Sequence, residues 1–550
     1  MSGPATGAGA PAGPPPLYGG ARLLGTLSLS LAMFMTVLDS SIANVSIPAI
    51  AGDLGVSISQ GTWVITSFGV ANAISLPLTG WLTQRLGQVR LFVASVLLFT
   101  LASWLCGLAP GIEWLIAFRV IQGLVAGPMI PLSQTLLLAS YPPAMAGTAL
   151  ATWSMTTLLA PVAGPLLGGW ITDNVTWPWI FYINVPVGLS AAALTLAIYR
   201  KRESPTRRLP VDVVGLVLLV IWVGAFQVLL DKGKELDWFG SPTIVTLAIV
   251  SAVGFAFFLA WELTDEHPVV DVRLFARRNY ATGVATLAIA YALFFGSVVI
   301  LPLWLQQTMG YTATMAGVVV APVGLLAIVF TPIAGRMIGR WDRRAMSTFS
   351  FLTFAVVMWL RSRFDTDADL ATIVVPTILQ GLAVAFFFIP LVSIILAGLP
   401  PERLPSASGL YNFVRMSAGS FGTSIAATLW EDRAALHHAQ LAESVNAGSD
   451  ATARTIAALR AAGLSAEQAL AAIGRTLDQQ AFMLSASELF FGSACLFALL
   501  AAFVWIAREP GPASGASPGR GPGPGTVAAR ASPAPSRPAG PHAAGPAPSR

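Results

Sequence analysis

Charged residues are scarce in this chain, and their scarcity excludes an ordinary soluble protein. Only 10% of the 550 residues are charged and 55% are hydrophobic, whereas a soluble globular chain is about a quarter charged. The apolar residues fall in runs of about 20, the helix length that crosses a hydrocarbon core of about 30 Å. A transmembrane β-barrel would show alternating segments of about ten residues instead. The composition therefore predicts an all-α polytopic membrane protein.

Cysteine, histidine and common catalytic motifs are also scarce or missing, which disfavours a disulfide framework, a metal centre and an enzyme. Cys106 and Cys495 both lie inside apolar runs, where free cysteines pack as small apolar residues. The sequence has no GxxxxGK[ST] and no HExxH segment, the marks of nucleotide binding and zinc proteolysis. Active transport would therefore have to draw on an ion gradient or on a partner, without a cofactor or a metal.

Apolar runs bounded by charges, proline or glycine predict fourteen transmembrane helices. The run near residue 354 is the weakest, because Arg361 and Arg363 crowd its end, and twelve or thirteen spans are the alternatives. The fourteen runs centre near residues 36, 73, 100, 124, 160, 189, 221, 252, 291, 326, 354, 385, 418 and 495.

Three segments fall outside this pattern. Residues 1–20 lack the charged start and the cleavage site of a signal peptide, so they predict a disordered cytoplasmic tail before a retained first span. Residues 431–483 form a long outer loop whose helical spacing and polar faces predict short helices. Residues 507–550 are rich in Pro, Gly, Ala and Ser and predict a second disordered tail.

The distribution of Lys and Arg among the short loops predicts the orientation. With the N-terminus inside, the short outer loops hold only Lys232, Lys234, Arg361 and Arg363. This asymmetry places both termini in the cytoplasm. The inner loops hold Arg85, Arg90, Arg200, Lys201, Arg202, Arg207, Arg208, Arg273, Arg277, Arg278, Arg336, Arg340, Arg343, Arg344 and Arg403.

Two ionisable residues lie deep in predicted spans, where a charge is costly and normally meets a partner or a water-filled cavity. Asp39 in span 1 lies roughly 15 Å below the outer surface, and Arg119 in span 4 roughly 9 Å below it, at 1.5 Å per residue. The long arginine side chain can close much of that difference. A static ion pair between two helices is one interpretation, and a protonation site with its charge partner is the favoured one.

Other polar residues extend this pattern. Ser40 and Asn44 are four residues apart and share a helix face beside Asp39, while Asn412 and Arg415 are three apart in span 13. Cavity lining is favoured for them over interhelical hydrogen bonding. Function is favoured over structural pairing for Arg415. Glu488 lies near the outer end of span 14, where simple hydration is the stronger alternative.

Small residues and prolines form a stripe in span 5. Gly164 and Gly168 follow Ala160 at every fourth position, which lets helix backbones approach closely. Pro161 and Pro165 remove backbone donors and bend the helix. A bent helix with a face of small residues predicts a close helix–helix contact that can shift or close during a conformational change. Ordinary tight packing is the alternative.

Together these motifs resemble the fourteen-span drug:proton antiporters (EmrB/QacA type) of the major facilitator superfamily. Further stretches are similar to the EmrB type of multidrug pump, and the resemblance covers about residues 22–506. The superfamily motifs are LDSSIANVSIP (38–48), GWLTQRLGQVR (80–90), RVIQGLVAGP (119–128) and APVAGPLLGG (160–169). The EmrB-like stretches are GTWVITSFGVANAISLPLTGW, DKGKELDW, GLPPERL and HHAQLAESVN.

The resemblance implies the major facilitator fold, with six-helix bundles over 21–199 and 280–506 and two inserted helices in a linker over 200–279. It also implies alternating access by rocking of the bundles, with Asp39 as the proton site and Arg119 as the coupling arginine. Glu488 joins this proton-coupling set by its position alone.

The predicted substrate-cavity residues are Ser40, Asn44, Gln122, Asn412 and Arg415. The predicted conformational or gating residues are Gly80, Gln84, Arg85, Gly87, Arg90, Pro161, Gly164, Pro165, Gly168 and Gly169. Gln84 departs from the family, which usually carries an acid there.

The implied function is proton-coupled export of hydrophobic or weakly basic drugs across the bacterial inner membrane. The resemblance also implies a periplasmic adaptor, a membrane fusion protein, and an outer-membrane channel as partners. A dedicated metabolite transporter of the same fold and a non-transporting scaffold or sensor are the alternatives. The loop over 431–483 is the candidate docking surface for the adaptor.

Overall fold

The structure is a computed structural model that describes residues 15–207, 210–338, 340–445 and 449–508. These ranges contain helices and turns, and no strand is found in them, so the predicted all-α architecture is confirmed. They belong to one compact unit, Met1–Glu509. The described residues leave out 1–14 and 509–550, which make up most of the two predicted tails. They also leave out Arg208. The predicted domain boundaries stay predictions.

The first six predicted spans form helices that several breaks divide. A break lies at Pro77 and another at Pro128, because proline lacks the amide that would continue the helix; α3 and α4 are bent by 62°. The helices are α1 (Gly19–Asp53), α2 (Ile58–Gly61), α3 (Trp63–Ser75), α4 (Thr79–Leu86), α5 (Gln88–Gly107), α6 (Ile112–Ala126), α7 (Met129–Ser140), α8 (Ala146–Asn174), α9 (Trp179–Tyr182) and α10 (Asn184–Tyr199).

The remaining predicted spans continue the same pattern, with a further break at Pro322. The helices are α11 (Val213–Lys232), α12 (Pro242–Thr264), α13 (Arg278–Gln307), α14 (Ala313–Val320), α15 (Val323–Met337), α16 (Arg343–Arg361), α17 (Leu370–Ala385), α18 (Phe388–Ile395), α19 (Leu404–Ser444), α20 (Asp450–Ala461) and α21 (Ala466–Phe503).

All fourteen predicted span centres lie in helices. Within the described residues, nine helices are long and apolar enough to cross a membrane, or ten if α3 and α4 count as one bent span. The predicted spans in α8, in α14 with α15, in α16 and in α19 are not among them. The structure therefore supports a multi-span membrane protein, while the count of fourteen stays a prediction.

The segment over 431–483 is more continuous than the sequence analysis predicted. Helix α19 extends without a break to Ser444, and α21 already begins at Ala466. A capping box at Ser465 and Gln468 fixes the start of α21, because each side chain accepts a hydrogen bond from the backbone amide of the other residue. Only α20 is a separate short helix. The predicted helical content is therefore confirmed, but two of the helices are extensions of the long helices.

Helices from the first and second halves of the chain meet at their predicted cytoplasmic ends. Gly147 of α8 faces Gly335 of α15, and each leaves no room for a Cβ on the other. Gly80 of α4 likewise lies against Ser406 of α19, whose Cβ would be 2.6 Å from a Cβ on the glycine. Glycine is needed at these positions because backbones approach closely there. From these contacts we infer that this end of the molecule is closed.

Gly335→Ala is expected to open this contact, because the added Cβ would lie 2.6 Å from the carbonyl oxygen of Gly147 and 2.7 Å from the Cβ of Ala151. The readout is the thiol introduced by Ser154→Cys in a protein that lacks the native cysteines. With Gly335→Ala added, this thiol should react several-fold faster with a membrane-impermeant reagent from the cytoplasmic side than it does with Gly335 intact. Gly324→Ala is the matched control on α15, since its Cβ would meet nothing within 4 Å. Equal reaction rates in both variants would contradict the proposed closure.

Candidate functional site

The two charges predicted to lie deep in the membrane form a buried ion pair. Nη1 of Arg119 in α6 lies 2.5 Å from Oδ2 of Asp39 in α1. Asp39 is 2% exposed and Arg119 is 0% exposed. The ion pair therefore joins two helices inside the protein, away from the surface.

Other groups hold the guanidinium of Arg119 in place. Its Nε donates to the carbonyl oxygen of Val64 at 3.0 Å, and its Nη1 donates to Oε1 of Gln122 at 2.8 Å. The ring of Phe68 lies 4.2 Å from the guanidinium carbon, a distance at which a cation and a ring attract. Nη2 has no hydrogen-bond partner in the described residues. The arginine is thus fixed mainly by α1, α3 and its own helix.

The second oxygen of Asp39 accepts hydrogen bonds from two amides. Asn184 of α10 donates to Oδ1 at 2.8 Å, and Gln122 donates to it at 3.2 Å. Asn184 also donates to Oγ of Ser103 in α5 at 2.9 Å. Sequence reasoning missed Asn184 and Ser103. Asn184 interrupts an apolar run, and that was the signal available in the sequence.

Asp39, Ser103, Arg119, Gln122 and Asn184 are called the ion-pair cluster below. The cluster is neutral when Asp39 is ionised, because one carboxylate faces one guanidinium. A buried pair of this kind is stable only when its remaining polar atoms are hydrogen-bonded, and the two amides fill that role here. Adding a proton to Asp39 would leave an uncompensated cation in a buried place. Chemically, the cluster can therefore release or take up a proton together with a change in its exposure.

Three residues predicted to line the cavity with Asp39 have different environments. Ser40 donates to the carbonyl oxygen of Thr36, and Asn44 donates to that of Ser40, within their own helix. Asn44 is exposed. Gln122 is fully buried inside the ion-pair cluster, so it positions the charged residues and does not contact the cavity described next.

A second site surrounds Arg415 of α19. Its Nη1 donates to the hydroxyl of Tyr291 at 2.7 Å, and its guanidinium carbon lies 5.3 Å from the ring centre of Phe388. No carboxylate pairs with Arg415 in the part of the chain that the structure describes. The predicted neighbour Asn412 is buried and donates to the carbonyl oxygen of Ser408 at 2.8 Å. Arg415 thus carries a buried positive charge among aromatic rings.

Arg415 lines a cavity to which both halves of the chain contribute. Trp153 and Ser154 come from α8, whereas Tyr291, Phe294 and Arg415 come from α13 and α19. The cavity and its opening together enclose about 480 Å³ of space not occupied by protein atoms. No acidic residue is among the described residues that line it. A cavity with a guanidinium and aromatic walls suits an apolar molecule that is neutral or negatively charged.

Glu488, the third residue predicted to couple protons, lies apart from Asp39. Its carboxylate pairs with Arg433 at 2.7 Å and with Nε2 of His437 at 3.1 Å. The side chain is 42% exposed. An exposed ion pair contributes about 0–1 kcal/mol, so this position favours the hydrated alternative that the sequence left open.

Arg361 was predicted to lie in an outer loop, and this prediction was wrong. It is 1% exposed at the end of α16, where it donates to Gln380 at 2.7 Å and to Thr377 at 3.3 Å. Gln380 begins a Gln-Gly-Leu segment in α17 that repeats the Gln-Gly-Leu segment beginning at Gln122 in α6. This internal repeat was the signal for a second arginine–glutamine contact. The second contact has no acidic partner among the described residues.

The fold and the cluster agree with comparison against known families. The sequence profile described as Major Facilitator Superfamily matches residues 29–423 of this chain. The chain belongs to the major facilitator superfamily. Its helices, its buried charges and its closed end therefore belong to a membrane transporter.

Curated relatives within the superfamily match nearly the whole chain. The Multidrug export protein EmrB of Escherichia coli K12 is 51% identical over 92% of this chain and 99% of its own length. The Fatty acid resistance protein FarB of Neisseria gonorrhoeae is 47% identical over 90% of this chain and 98% of its own length. The human organic anion transporter MFSD10 superposes with a TM-score of 0.58 over 88% of this chain and 99% of its own, at 13% identity, and this likeness shows the fold.

In this chain, a residue from outside the loop motif of the superfamily places a carboxylate beside that motif. Gln84 stands where the resemblance expects an acid, and Glu203, from the connection between α10 and α11, accepts from the backbone amides of residues 89 and 90 at 2.9 Å. Gly87 adopts φ 91° beside this carboxylate, a conformation that favours glycine. Glu203 therefore caps the start of α5.

Two further predicted gating glycines pack against α1. Gly164 lies against Ser41, and Gly168 lies against Ile42, so the span 5 stripe brings α8 close to the helix that carries Asp39. Gly169 has nothing within 4 Å of a Cβ position. Arg85 lies over the ring of Trp81. Pro161 and Pro165 lie in α8, but their side chains are outside the described residues.

Asp39→Ala is expected to lower the free energy of unfolding by about 3–5 kcal/mol, because it leaves Arg119 as an unpaired buried charge. Asp39→Asn should cost less, since its amide oxygen still accepts from the arginine. Thermal unfolding in detergent measures both effects. Glu113→Ala, at an exposed acid at the start of α6, is the matched control and should change little. Equal losses for Asp39→Ala and Glu113→Ala would contradict a stabilising ion pair.

Proposed function

We propose that this protein is a proton-coupled antiporter that exports hydrophobic compounds by alternating access. The observation that carries the proposal is the buried contact of Asp39 with Arg119, supported by two amides. An acid at this depth is costly and normally functional. The relative EmrB, 51% identical, bears the name multidrug export protein, and this supports export of several compounds.

The proton step follows from the charge balance of the ion-pair cluster. With Asp39 ionised, the cluster is neutral and stays buried. A proton on Asp39 would leave the positive charge of Arg119 without a counterion, which favours a conformation that hydrates the cluster. Proton binding and conformational change are therefore coupled. The proton binds from the outer side and leaves toward the cytoplasm, and the cargo moves the other way.

The magnitudes permit such coupling. One proton moving inward through 100 mV supplies roughly 2.3 kcal/mol. Each pH unit adds about 1.4 kcal/mol. At about 1.4 kcal/mol for each factor of ten, one proton can sustain a cargo gradient of order 10²–10³. No bound cofactor is required, because the proton gradient supplies the energy.

The cavity around Arg415 revises the substrate class predicted from sequence. The guanidinium and the aromatic walls formed by Tyr291, Phe388 and Trp153 favour hydrophobic weak acids or neutral compounds over weak bases, because like charges repel. The relative FarB is named for fatty acid resistance, and fatty acids are hydrophobic weak acids. We therefore propose hydrophobic acids as the preferred cargo.

The proposed location is the bacterial inner membrane with both termini in the cytoplasm, on the basis of the Lys and Arg asymmetry between loops. The proposed partners are a periplasmic membrane fusion protein and an outer-membrane channel. The extended outer ends of α19 and α21, together with α20, are the surface we propose for adaptor docking. Their mainly exposed, polar sequence suits contact with another protein outside the membrane.

Two other functions remain as alternatives. A dedicated metabolite transporter would use the same ion-pair cluster but accept one compound from a panel. A membrane scaffold or sensor would bind compounds without moving protons. Proton flux on addition of several unrelated substrates to vesicles discriminates among all three.

Asp39→Asn is expected to abolish uphill, proton-driven export in proteoliposomes with an imposed pH gradient, because the amide cannot bind the transported proton. Substrate binding should persist, since Asp39 lies in the ion-pair cluster and not among the residues that line the cavity. The measurement is accumulation of a fluorescent hydrophobic acid. Glu113→Gln, at an exposed acid, is the control. Normal uphill export by Asp39→Asn would exclude Asp39 as the proton site.

Arg415→Gln is expected to weaken binding of a hydrophobic acid by about tenfold or more, the effect of about 1.4 kcal/mol. Binding of a neutral compound of equal size should change little. Fluorescence quenching in detergent measures both. Arg363→Gln, at an exposed arginine on the surface, is the matched control. Equal loss of affinity for acid and neutral compounds in Arg415→Gln would contradict charge recognition.

A further inference from the structure

Two carboxyl groups meet where α11 begins and α12 ends, away from the ion-pair cluster. Asp212 is the N-cap residue of α11, and Glu262 lies one turn before the end of α12. We propose that Glu262 binds a proton that it shares with Asp212, so that this junction is a second protonation site. The proposal does not depend on the transported substrate or on the role of Asp39.

Each of the two carboxyl groups has one satisfied oxygen and one unsatisfied oxygen. Oδ1 of Asp212 accepts from the amide of Gly215 at 2.8 Å and from Nε1 of Trp261 at 2.9 Å. Oε2 of Glu262 accepts from the amide of Val270 at 3.1 Å. Oδ2 of Asp212 and Oε1 of Glu262 are both buried without a partner. Such unsatisfied buried oxygens are costly and rare.

The two unsatisfied oxygens lie beside the same point. A Cβ on Gly215 would lie 2.8 Å from Oε1 of Glu262 and closer still to Oδ2 of Asp212. The two oxygens therefore lie on the same side of Gly215, where a Cβ would point. Two ionised carboxylates in this position would repel, whereas a single proton placed between them turns one oxygen into a donor and satisfies both atoms.

Among the described residues, no cation pairs with either carboxyl group in place of that proton. Asp265, on the connection that follows α12, adds a further negative charge near Glu262. Arg273 donates to the carbonyl oxygens of Leu263 and Asp265, at 3.2 Å and 3.1 Å. Asp271 pairs with Arg403 at 3.8 Å. No salt bridge joins Asp212 or Glu262 to a cation in the described ranges.

Glu262 is the partner that holds the proton. It is 0% exposed and receives one hydrogen bond, whereas Asp212 is only partly buried and receives two. Burial disfavours the charged form, and hydrogen bonds donated to a carboxylate favour it. In the proposed arrangement the proton is therefore placed on Glu262, with Oδ2 of Asp212 as its acceptor.

The shared proton ties the cytoplasmic ends of the two inserted helices together. Glu262 also holds the amide of Val270, which begins the connection leading to α13. Loss of the proton would place two negative charges side by side and push α11, α12 and this connection apart. The junction is thus expected to be tight at neutral and acidic pH and to loosen in alkaline solution.

Glu262→Gln tests the proposal, because glutamine reproduces the protonated acid and can donate to Asp212 at every pH. In an unfolded chain a glutamate ionises near pH 4.3, so the native protein binds an extra proton above that pH and its stability falls as pH rises. We expect the Tm of the full-length protein in detergent to decrease as the pH rises from about 5 to 8.5. In Glu262→Gln, at least half of this decrease should be absent. Glu266→Gln, at an exposed acid, should keep the fall seen in the native protein.

Infrared difference spectra of the full-length protein provide a second readout. We expect the native spectrum near pH 7 to contain a protonated carboxylic acid band that Glu262→Gln removes and Glu266→Gln retains. A Tm profile of Glu262→Gln that matches the native profile, or an unchanged acid band, would overturn the proposal. A Tm of the native protein that rises with added sodium or calcium ions, and not in Glu262→Gln, would also overturn it, since a bound cation would then hold the carboxylates.

Discussion

The buried contact between Asp39 and Arg119 is the constraint on which the first half of the structure depends. A charge in a low-dielectric interior is tolerated only with a counterion and with its remaining polar atoms satisfied. This requirement brings α1 and α6 together, draws in the carbonyl of α3, and orients the amide of Asn184 from α10. The glycine faces of α8 then allow that helix to pack closely on α1. One ion pair therefore organises five helices.

In the proposed function, the two main buried sites have different roles. The carboxylate of Asp39 can gain or lose a proton, so its charge can change during a cycle. The guanidinium of Arg415 has no carboxylate partner among the described residues, so its proposed role is to select cargo by charge. The cavity that contains Arg415 includes residues from α8 as well as from the second half. Under the proposed function, cargo bound there would contact both halves of the chain, as alternating access requires.

Sequence reasoning located the helices and the Asp39–Arg119 contact because both follow from local signals: apolar run length and the depth of an in-span charge. It missed Asn184 and placed Arg361 in a loop, because hydrogen-bond partners across helices depend on tertiary packing. The role of Glu203, which caps α5 from a distant connection, was also invisible, since the two segments are more than a hundred residues apart. The extension of α19 was missed because polar residues outside a membrane do not end a helix.

The central proposal is that Asp39 exchanges a proton as cargo is transported, so cargo binding should be accompanied by proton release from Asp39. The most direct measurement is the number of protons released when a hydrophobic acid of known ionisation is added to purified protein in weakly buffered detergent solution. The measured number is corrected for protons carried by the compound. We then expect a release that approaches one proton per protein, and none from Asp39→Asn. Equal release from both proteins, with cargo bound to each, would contradict it.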